Sequence, residues 1–202
     1  MKPLNKYVQE KLIVFHPQVD EKLVVNKNYR SYYYPESWDK LRELVRQRYK
    51  ELGPGTKQDP IDFNDIDVSK LETLVSDNHR GVFEETNFEY IDISDWNVSH
   101  IKSMKGMFFG CSYLVSIGDI SNWDVSECES MSGMFCGCHK LEHIDISNWK
   151  IKKVHIADYM FAGCSNLKSV GDLSHWDVSN IRNMCQMFYN SGIQNTPDWY
   201  KE

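Results

Sequence analysis

The sequence has no run of apolar residues near the roughly 20 that are needed to cross a bilayer. Its first residues, Met1 to Lys11, lack the apolar core and the small-residue cleavage site of a signal peptide. We therefore expect no membrane insertion, and a protein that is cytoplasmic or associated with a virion. Basic residues are a minority, since 23 Lys and Arg stand against 29 Asp and Glu, for a net charge of -6. This balance makes direct nucleic-acid binding an unfavoured function.

The familiar catalytic motifs are missing as well. The sequence has no G-x-S-x-G, H-E-x-x-H or G-x-G-x-x-G motif and no Walker loop. It has seven histidines, but nothing marks a nucleophile, a base and an oriented pocket together. We predict that the protein is not an enzyme and uses no cofactor or metal. An enzyme with an unrecognised site is the outlying alternative.

A repeat accounts for most of the chain. Trp96, Trp123, Trp149 and Trp176 are 27, 26 and 27 residues apart, and each is followed by the same pattern of Val or Ile, Met, and Met-Phe or its equivalent. A fixed period of this length predicts stacked supersecondary units. Such arrays usually act through an extended surface and not through a pocket.

Each repeat has two halves with different patterns. The first, as in residues 141–146, alternates apolar and polar residues and predicts a short strand. In the second, Met104, Met107, Phe108 and Cys111 fall on one helical face. We predict an α/β fold, a right-handed solenoid like a leucine-rich repeat, built from short parallel strands plus short helices.

The predicted organisation has three parts. Residues 1–60 form a small α/β N-terminal cap, with a strand at about 22–26 and a helix at about 36–52. Residues 61–192 hold five copies of the repeat, the first of them degenerate and interrupted by a loop near 77–81. Residues 193–202 form a C-terminal cap over the truncated last copy.

The repeat pattern W-D-V-S-x-[IV]-x-x-M-x-x-M-F-x-x-C-x-x-L-x-S-I resembles the BspA-like repeat, a leucine-rich-repeat variant of bacterial surface proteins. The opening, with Lys22–Asn28 and Asn64–Ser69, resembles small BspA-like proteins of gut Bacteroidales and their phages. The resemblance implies adhesion or protein binding and no common enzymatic activity. It covers about two thirds of the chain.

The repeat brings aspartates into one line on the outward side of the predicted strands. They could bind a basic partner or hold a weak calcium stripe. Alternatively, each carboxylate accepts hydrogen bonds from nearby serines, namely Ser94, Ser121, Ser147 and Ser174. Like charges about 5 Å apart would raise each other's pKa values unless donors or a cation intervene. The predicted partner-binding residues are Asp62, Asp92, Asp119, Asp145, Asp172, Tyr90, His143, His79 and Arg80.

Two further groups of residues have structural and functional interpretations. Cys111, Cys138 and Cys164 follow the period, which favours buried packing over a disulfide or zinc site. The tyrosines at 32–34 precede a basic helix. They could pack on the first repeat, contact a protein or bind nucleic acid. The cations of that helix are Lys40, Arg42, Arg46, Arg48 and Lys50.

We predict non-enzymatic protein–protein recognition, or a scaffold role, through a rigid repeat surface. A structural or surface component of a phage or bacterium fits this prediction. The alternative is a phage-borne intracellular inhibitor of a host defence complex, which acts by steric block or acidic mimicry. The sequence identifies neither the partner nor the oligomeric state.

Overall fold

A computed structural model of the protein describes residues 33–76, 78 and 80–201. The chain divides into two compact units, Met1–Tyr32 and Tyr33–Glu202. The strand predicted at about 22–26 and the predicted binding residue His79 lie outside the described residues. The described residues all belong to the second unit.

The helix predicted at about 36–52 is α1, Trp38–Leu52. Ser37 has an extended backbone, and its Oγ accepts a hydrogen bond from an amide of the first turn at 3.3 Å, as an N-cap does. Leu41 and Val45 are fully buried and lie one turn apart on the same face. Gly53, with φ of 75°, ends the helix because glycine adopts positive φ without a steric penalty.

The first two repeats pair as parallel strands. Strand β1, Ile61–Asp62, pairs with β2, Ile91–Asp92, and Ile61 lies opposite Ile91. Both strands occupy the segment where the sequence pattern places the strand of each repeat. Single parallel bridges extend this line of pairing at Tyr90–Ser116 and His143–Ser169.

A second line of pairing, the bridge row, is longer. It joins equivalent residues of all five repeats through parallel bridges between positions 30, 27, 26 and 27 residues apart. The row lies at the start of the half that the sequence pattern assigns to a helix. Its members are Thr73, Ser103, Ser130, Ile156 and Asn183.

Consecutive turns, and not the predicted short helices, follow the bridge row. In the second repeat the amides of Met104, Gly106, Phe108 and Gly110 donate to carbonyls of the next repeat at 2.8–2.9 Å. The amides of Met107 and Phe109, which lie between them, donate three residues back along their own chain. An α-helix needs successive amides to donate four residues back, so this alternation excludes it. Gly106 and Gly110, with φ of 58° and 70°, allow the backbone to follow this path.

Aromatic rings join the repeats through the core. Five buried phenylalanines form a column in which successive ring centroids lie 5.1–5.6 Å apart and ring planes are within 11°. Stacked aromatic pairs contribute about 0.5–1.5 kcal/mol each beyond the burial of their area. The phenylalanine column is Phe83, Phe108, Phe135, Phe161 and Phe188.

Helix α1 covers the backbone of the first repeat. The Arg42 side chain is only 6% exposed, and its guanidinium donates to the carbonyls of Gly81, Val82 and Glu84. The Val82 and Glu84 bonds measure 3.1 and 3.2 Å. Arg42 thereby satisfies the carbonyls of Val82 and Glu84, whereas the Gly81 carbonyl also accepts the amide of Glu84 at 3.2 Å.

The C-terminal residues continue the aromatic packing. Trp199 stacks on Trp176 at 6.1 Å, and its indole N–H donates to the carbonyl of Leu173 at 2.8 Å. Trp149 makes the same kind of hydrogen bond to its preceding repeat at 3.0 Å. Tyr200 packs edge-on against the last ring of the phenylalanine column at 5.2 Å. Trp199 therefore occupies the place of a repeat tryptophan.

Candidate functional site

The aspartate row lies where each repeat turns out of its paired segment. In every member one carboxylate oxygen accepts a hydrogen bond from the amide two residues later, at 2.8–3.0 Å. The hydroxyls of Ser94 and Ser147 add bonds of 2.7 and 2.6 Å. This arrangement is the Asx turn, in which an aspartate fixes its own loop. The row consists of Asp62, Asp92, Asp119, Asp145 and Asp172.

These hydrogen bonds set the charge state of the exposed part of the row. Donation from Ser147 holds the pKa of Asp145 below its ordinary value, and the smaller opposing effects are burial and the neighbouring Asp119. Hydrogen bonds from Ser121 and Ser174 likewise lower the pKa values of Asp119 and Asp172. The donors thus outweigh the like-charge repulsion that the spacing predicts. The three carboxylates are ionised at neutral pH.

The same three carboxylates face solvent, and only His175 among the described basic residues acts on one of them, Asp172. Asp119, Asp145 and Asp172 are exposed, and no lysine or arginine of the described chain forms an ion pair with them. Elsewhere repeats exchange such pairs, as Lys153 does with Glu127 at 2.7 Å. Asp119, Asp145 and Asp172 therefore present fixed negative charge that no lysine or arginine of the described residues pairs with.

The other predicted binding residues divide between two places. Tyr90 and His143 lie two residues before members of the row, in the segments that pair through their backbones. His143 is exposed and Tyr90 is half-buried. Arg80 does not join them. It forms an ion pair with Glu84 at 3.8 Å and lines a groove beside α1.

Residues 62–199 match the family model described as Mycoplasma protein of unknown function, DUF285. The match spans about two thirds of the chain. The chain belongs to the DUF285 family. Comparison with curated proteins and with solved structures gave no match.

The cysteines of the DUF285 repeats are mostly part of the core. The thiols of Cys111, Cys138 and Cys164 donate to phenylalanine carbonyls of the preceding repeat at 2.9, 3.2 and 3.0 Å. Burial raises the pKa of Cys111 to about 11, so the thiol stays protonated at neutral pH. All six cysteines are free. Cys111, Cys138 and Cys164 are buried, as their period predicts, whereas Cys136 is half-buried and Cys185 is exposed.

The sequence leaves a zinc site and a calcium site open as alternatives, and the structure bears on both. In the described part of the chain, no three His, Cys, Asp or Glu side chains are grouped so that they could hold a metal ion. The thiols of Cys111, Cys138 and Cys164 donate to backbone carbonyls, and the aspartates accept hydrogen bonds from their own turns. No helix among these residues is long and apolar enough to cross a membrane.

The role of Arg42 in the DUF285 fold is not evident from the sequence pattern. The pattern groups it with the solvated cations of the basic helix, but it is buried and bound to three carbonyls. The available signal was helical geometry, because position 42 lies beside the apolar positions 41 and 45 on a helix. A long arginine stem can follow an apolar face while its head finds polar partners.

Proposed function

We propose that the repeats form a right-handed solenoid of the leucine-rich-repeat kind, whose function is non-enzymatic protein recognition. The observation that carries this proposal is the bridge row, which ties one backbone position of all five repeats together. The phenylalanine column joins the same repeats through the core. A surface held in this way loses little conformational entropy on docking. The resemblance to BspA-like repeats, which are associated with protein binding, supports the same function.

The aspartate row is the proposed recognition face, and a basic protein surface is its proposed partner. Asp119, Asp145 and Asp172 are exposed, ionised and oriented by their own turns. Charges that are fixed before binding favour a complementary partner, both in the rate of encounter and in specificity. His143 is exposed beside the row and adds a polar contact.

A triple variant, Asp119→Asn, Asp145→Asn and Asp172→Asn, tests this face. Asparagine retains an oxygen that can accept the turn hydrogen bond, so the variant removes charge and keeps the turn. Proteins from the source cells that the wild type retains should be lost from the triple variant. The matched control is Glu127→Gln, Glu129→Gln and Glu142→Gln, which removes the same charge from other exposed positions. Equal retention by wild type and row variant would contradict the proposed face.

A second candidate function is acidic mimicry, in which the row occupies a cationic nucleic-acid channel of an enzyme complex. The three exposed, ionised carboxylates of Asp119, Asp145 and Asp172 favour it. Once a partner has been identified, the dependence of its affinity on salt concentration distinguishes the two functions. A mimic of nucleic acid should lose affinity steeply with ionic strength and compete with nucleic acid, whereas an apolar-centred interface should do neither.

A further inference from the structure

A groove of about 490 Å³ lies along α1 and is separate from the aspartate row. Four cations line it, three of them on the helix and one in the first repeat. Trp38 lines it as well. The cations are Arg42, Arg46, Lys50 and Arg80.

Two buried donors beside this groove have no acceptor among the residues that the structure describes. They are the indole N–H of Trp38 and the Nε–H of Arg42. The guanidinium of Arg42 lies 5.4 Å from the centroid of the Trp38 ring, so the two residues are in contact. Because a buried donor without an acceptor is destabilising, unpaired groups of this kind indicate a place where an acceptor belongs. A single ligand in the groove could supply acceptors to both.

The charges of the groove indicate an anionic ligand. Its lining carries four cations against two carboxylates, Asp39 and Glu43. Burial lowers the pKa of Arg42, and repulsion from Arg46 and Arg80 lowers it further. A negative group placed here would relieve that repulsion.

The spacing of the cations favours an extended chain over a single small anion. Arg42, Arg46 and Lys50 are four residues apart, a helical rise of about 6 Å per step. Side chains on one side of an extended peptide are about 6.6 Å apart. Asp39 and Glu43 in the same groove would repel a uniform polyanion such as nucleic acid, but they can accept the amide hydrogens of a peptide.

We propose that this groove binds an extended acidic segment of a protein partner, with carboxylates at alternate residues facing the three helix cations and acceptors reaching Trp38 and Arg42. The inference rests on the proposed function in taking the partner to be a protein. The groove and the aspartate row are different surfaces, so an experiment can contradict one proposal and leave the other unaffected.

The test uses the full chain and a fluorescein-labelled eight-residue peptide of alternating Glu and Ser, followed by fluorescence anisotropy. A peptide of the same composition with its four Glu residues contiguous is the control for spacing. An eight-nucleotide oligothymidylate is the probe for nucleic acid. We expect saturable binding of the alternating peptide and weaker binding of both other probes.

Variants place the peptide in the groove. The double variant Arg46→Gln and Lys50→Gln alters exposed side chains and should weaken binding about tenfold or more. Its matched control, Lys150→Gln and Arg182→Gln, removes two exposed cations from the repeats and should leave binding unchanged. Trp38→Phe removes the indole donor and should weaken binding about tenfold. In two-dimensional NMR spectra, the indole resonance that this variant eliminates should shift when peptide binds.

Several results would overturn the groove assignment. They are the absence of saturable peptide binding, equal binding by the double variant and its control, or an unshifted Trp38 indole resonance. If oligothymidylate bound more tightly than the peptide, the ligand of the groove would be nucleic acid and the peptide assignment would be wrong. Because the aspartate-row test measures loss of captured proteins on another surface, its result stands whichever way this experiment ends.

Discussion

The Nη1 atom of Arg42 donates a hydrogen bond to the carbonyl oxygen of Val82 at 3.1 Å, although the two residues are 40 positions apart. Val82 is the first-repeat equivalent of Met107 and Met134, whose carbonyls accept amides from their preceding repeats. Among the described residues, no repeat precedes the first one. The guanidinium of Arg42 therefore donates the hydrogen bond that an amide of a preceding repeat donates elsewhere in the array.

Removing this donor should destabilise the whole array. Arg42→Met keeps an apolar stem but removes the guanidinium donor from the carbonyls of Val82 and Glu84, while the Gly81 carbonyl keeps the amide of Glu84 at 3.2 Å. We expect the free energy of unfolding to fall by about 3 kcal/mol, because bonds from a charged donor to buried carbonyls are lost. Urea unfolding followed by circular dichroism measures it. Arg46→Met, at an exposed position of the same helix, should change stability by less than about 0.5 kcal/mol. Similar losses in both variants would contradict the capping role.

The period was sufficient to predict which residues are buried, but not the path of the backbone between them. Met104, Met107, Phe108 and Cys111 are all buried, as a helical face requires. Turns bury the same four positions, because inter-repeat bonds replace helical ones. Apolar periodicity alone cannot separate the two. The distinguishing signal was the glycines, which recur at 106, 110, 133, 137 and 163 with positive φ.

The candidate surface was predictable only in part. The repeat placed the five aspartates at one position and named the serines that could bind them. The repeat pattern could not predict whether the carboxylates have lowered or raised pKa values. Their pKa values depend on whether backbone amides donate hydrogen bonds to Oδ1, which the sequence does not show. The groove beside α1 was harder to predict from the sequence, because only the tertiary fold brings Arg80 next to Trp38 and Arg42.

Tyr159 and Gly133 occupy equivalent positive-φ positions, with φ of 55° and 58°. Left-handed backbone costs a non-glycine residue about 1–2 kcal/mol, and Tyr159 is 41% exposed, so its ring regains little of that cost. Tyr159→Gly should therefore leave stability unchanged or raise it by up to about 1 kcal/mol. Gly133→Ala should lower it by about 1 kcal/mol, because a Cβ there meets only ordinary contacts at 3.7 and 3.8 Å and the backbone supplies the penalty. Thermal unfolding measures both, and a large loss in Tyr159→Gly would show that the tyrosine ring is structural.

The aspartate row should make stability depend on acidity. The pKa values of Asp119, Asp145 and Asp172 are lowered in the folded protein by serine hydrogen bonds. A lowered folded pKa contributes stability above the unfolded value of about 3.9, and this contribution is lost as pH falls through the folded pKa. Urea midpoints should therefore fall between about pH 5 and pH 2. The triple Asp→Asn variant should show a shallower fall, and an identical pH dependence in wild type and variant would contradict it.

Thiol reactivity should separate Cys185 from the buried cysteines. Burial raises the pKa of Cys111 to about 11 and that of Cys128 to about 12, so few thiolates form there at about pH 8, and access is also blocked. Cys185 is exposed. Ellman's reagent should therefore modify about one thiol rapidly in the native protein, and Cys185→Ser should remove that phase. All six thiols should react in denaturant. A rapid phase that survives in Cys185→Ser would place another cysteine at the surface.

Trp199 should stabilise the last repeat in the way that a following repeat would. It stacks on Trp176, and its indole donates to the Leu173 carbonyl at 2.8 Å. Trp199→Phe retains a ring but loses the donor, so we expect a loss of about 1 kcal/mol. Trp199→Ala removes the half-buried ring as well and should cost about 2–3 kcal/mol, near the lower limit for buried aromatic residues. Urea unfolding gives both values.

Amide hydrogen exchange locates the effect of Trp199→Ala. The loss should raise exchange in the repeat that contains Trp176 more than in the repeat that contains Trp96, because each repeat is stabilised chiefly by its neighbours. The Phe variant should produce a weaker pattern at the same sites. Uniform acceleration along the chain would mean that the repeats unfold as one unit and that Trp199 stabilises all of them equally.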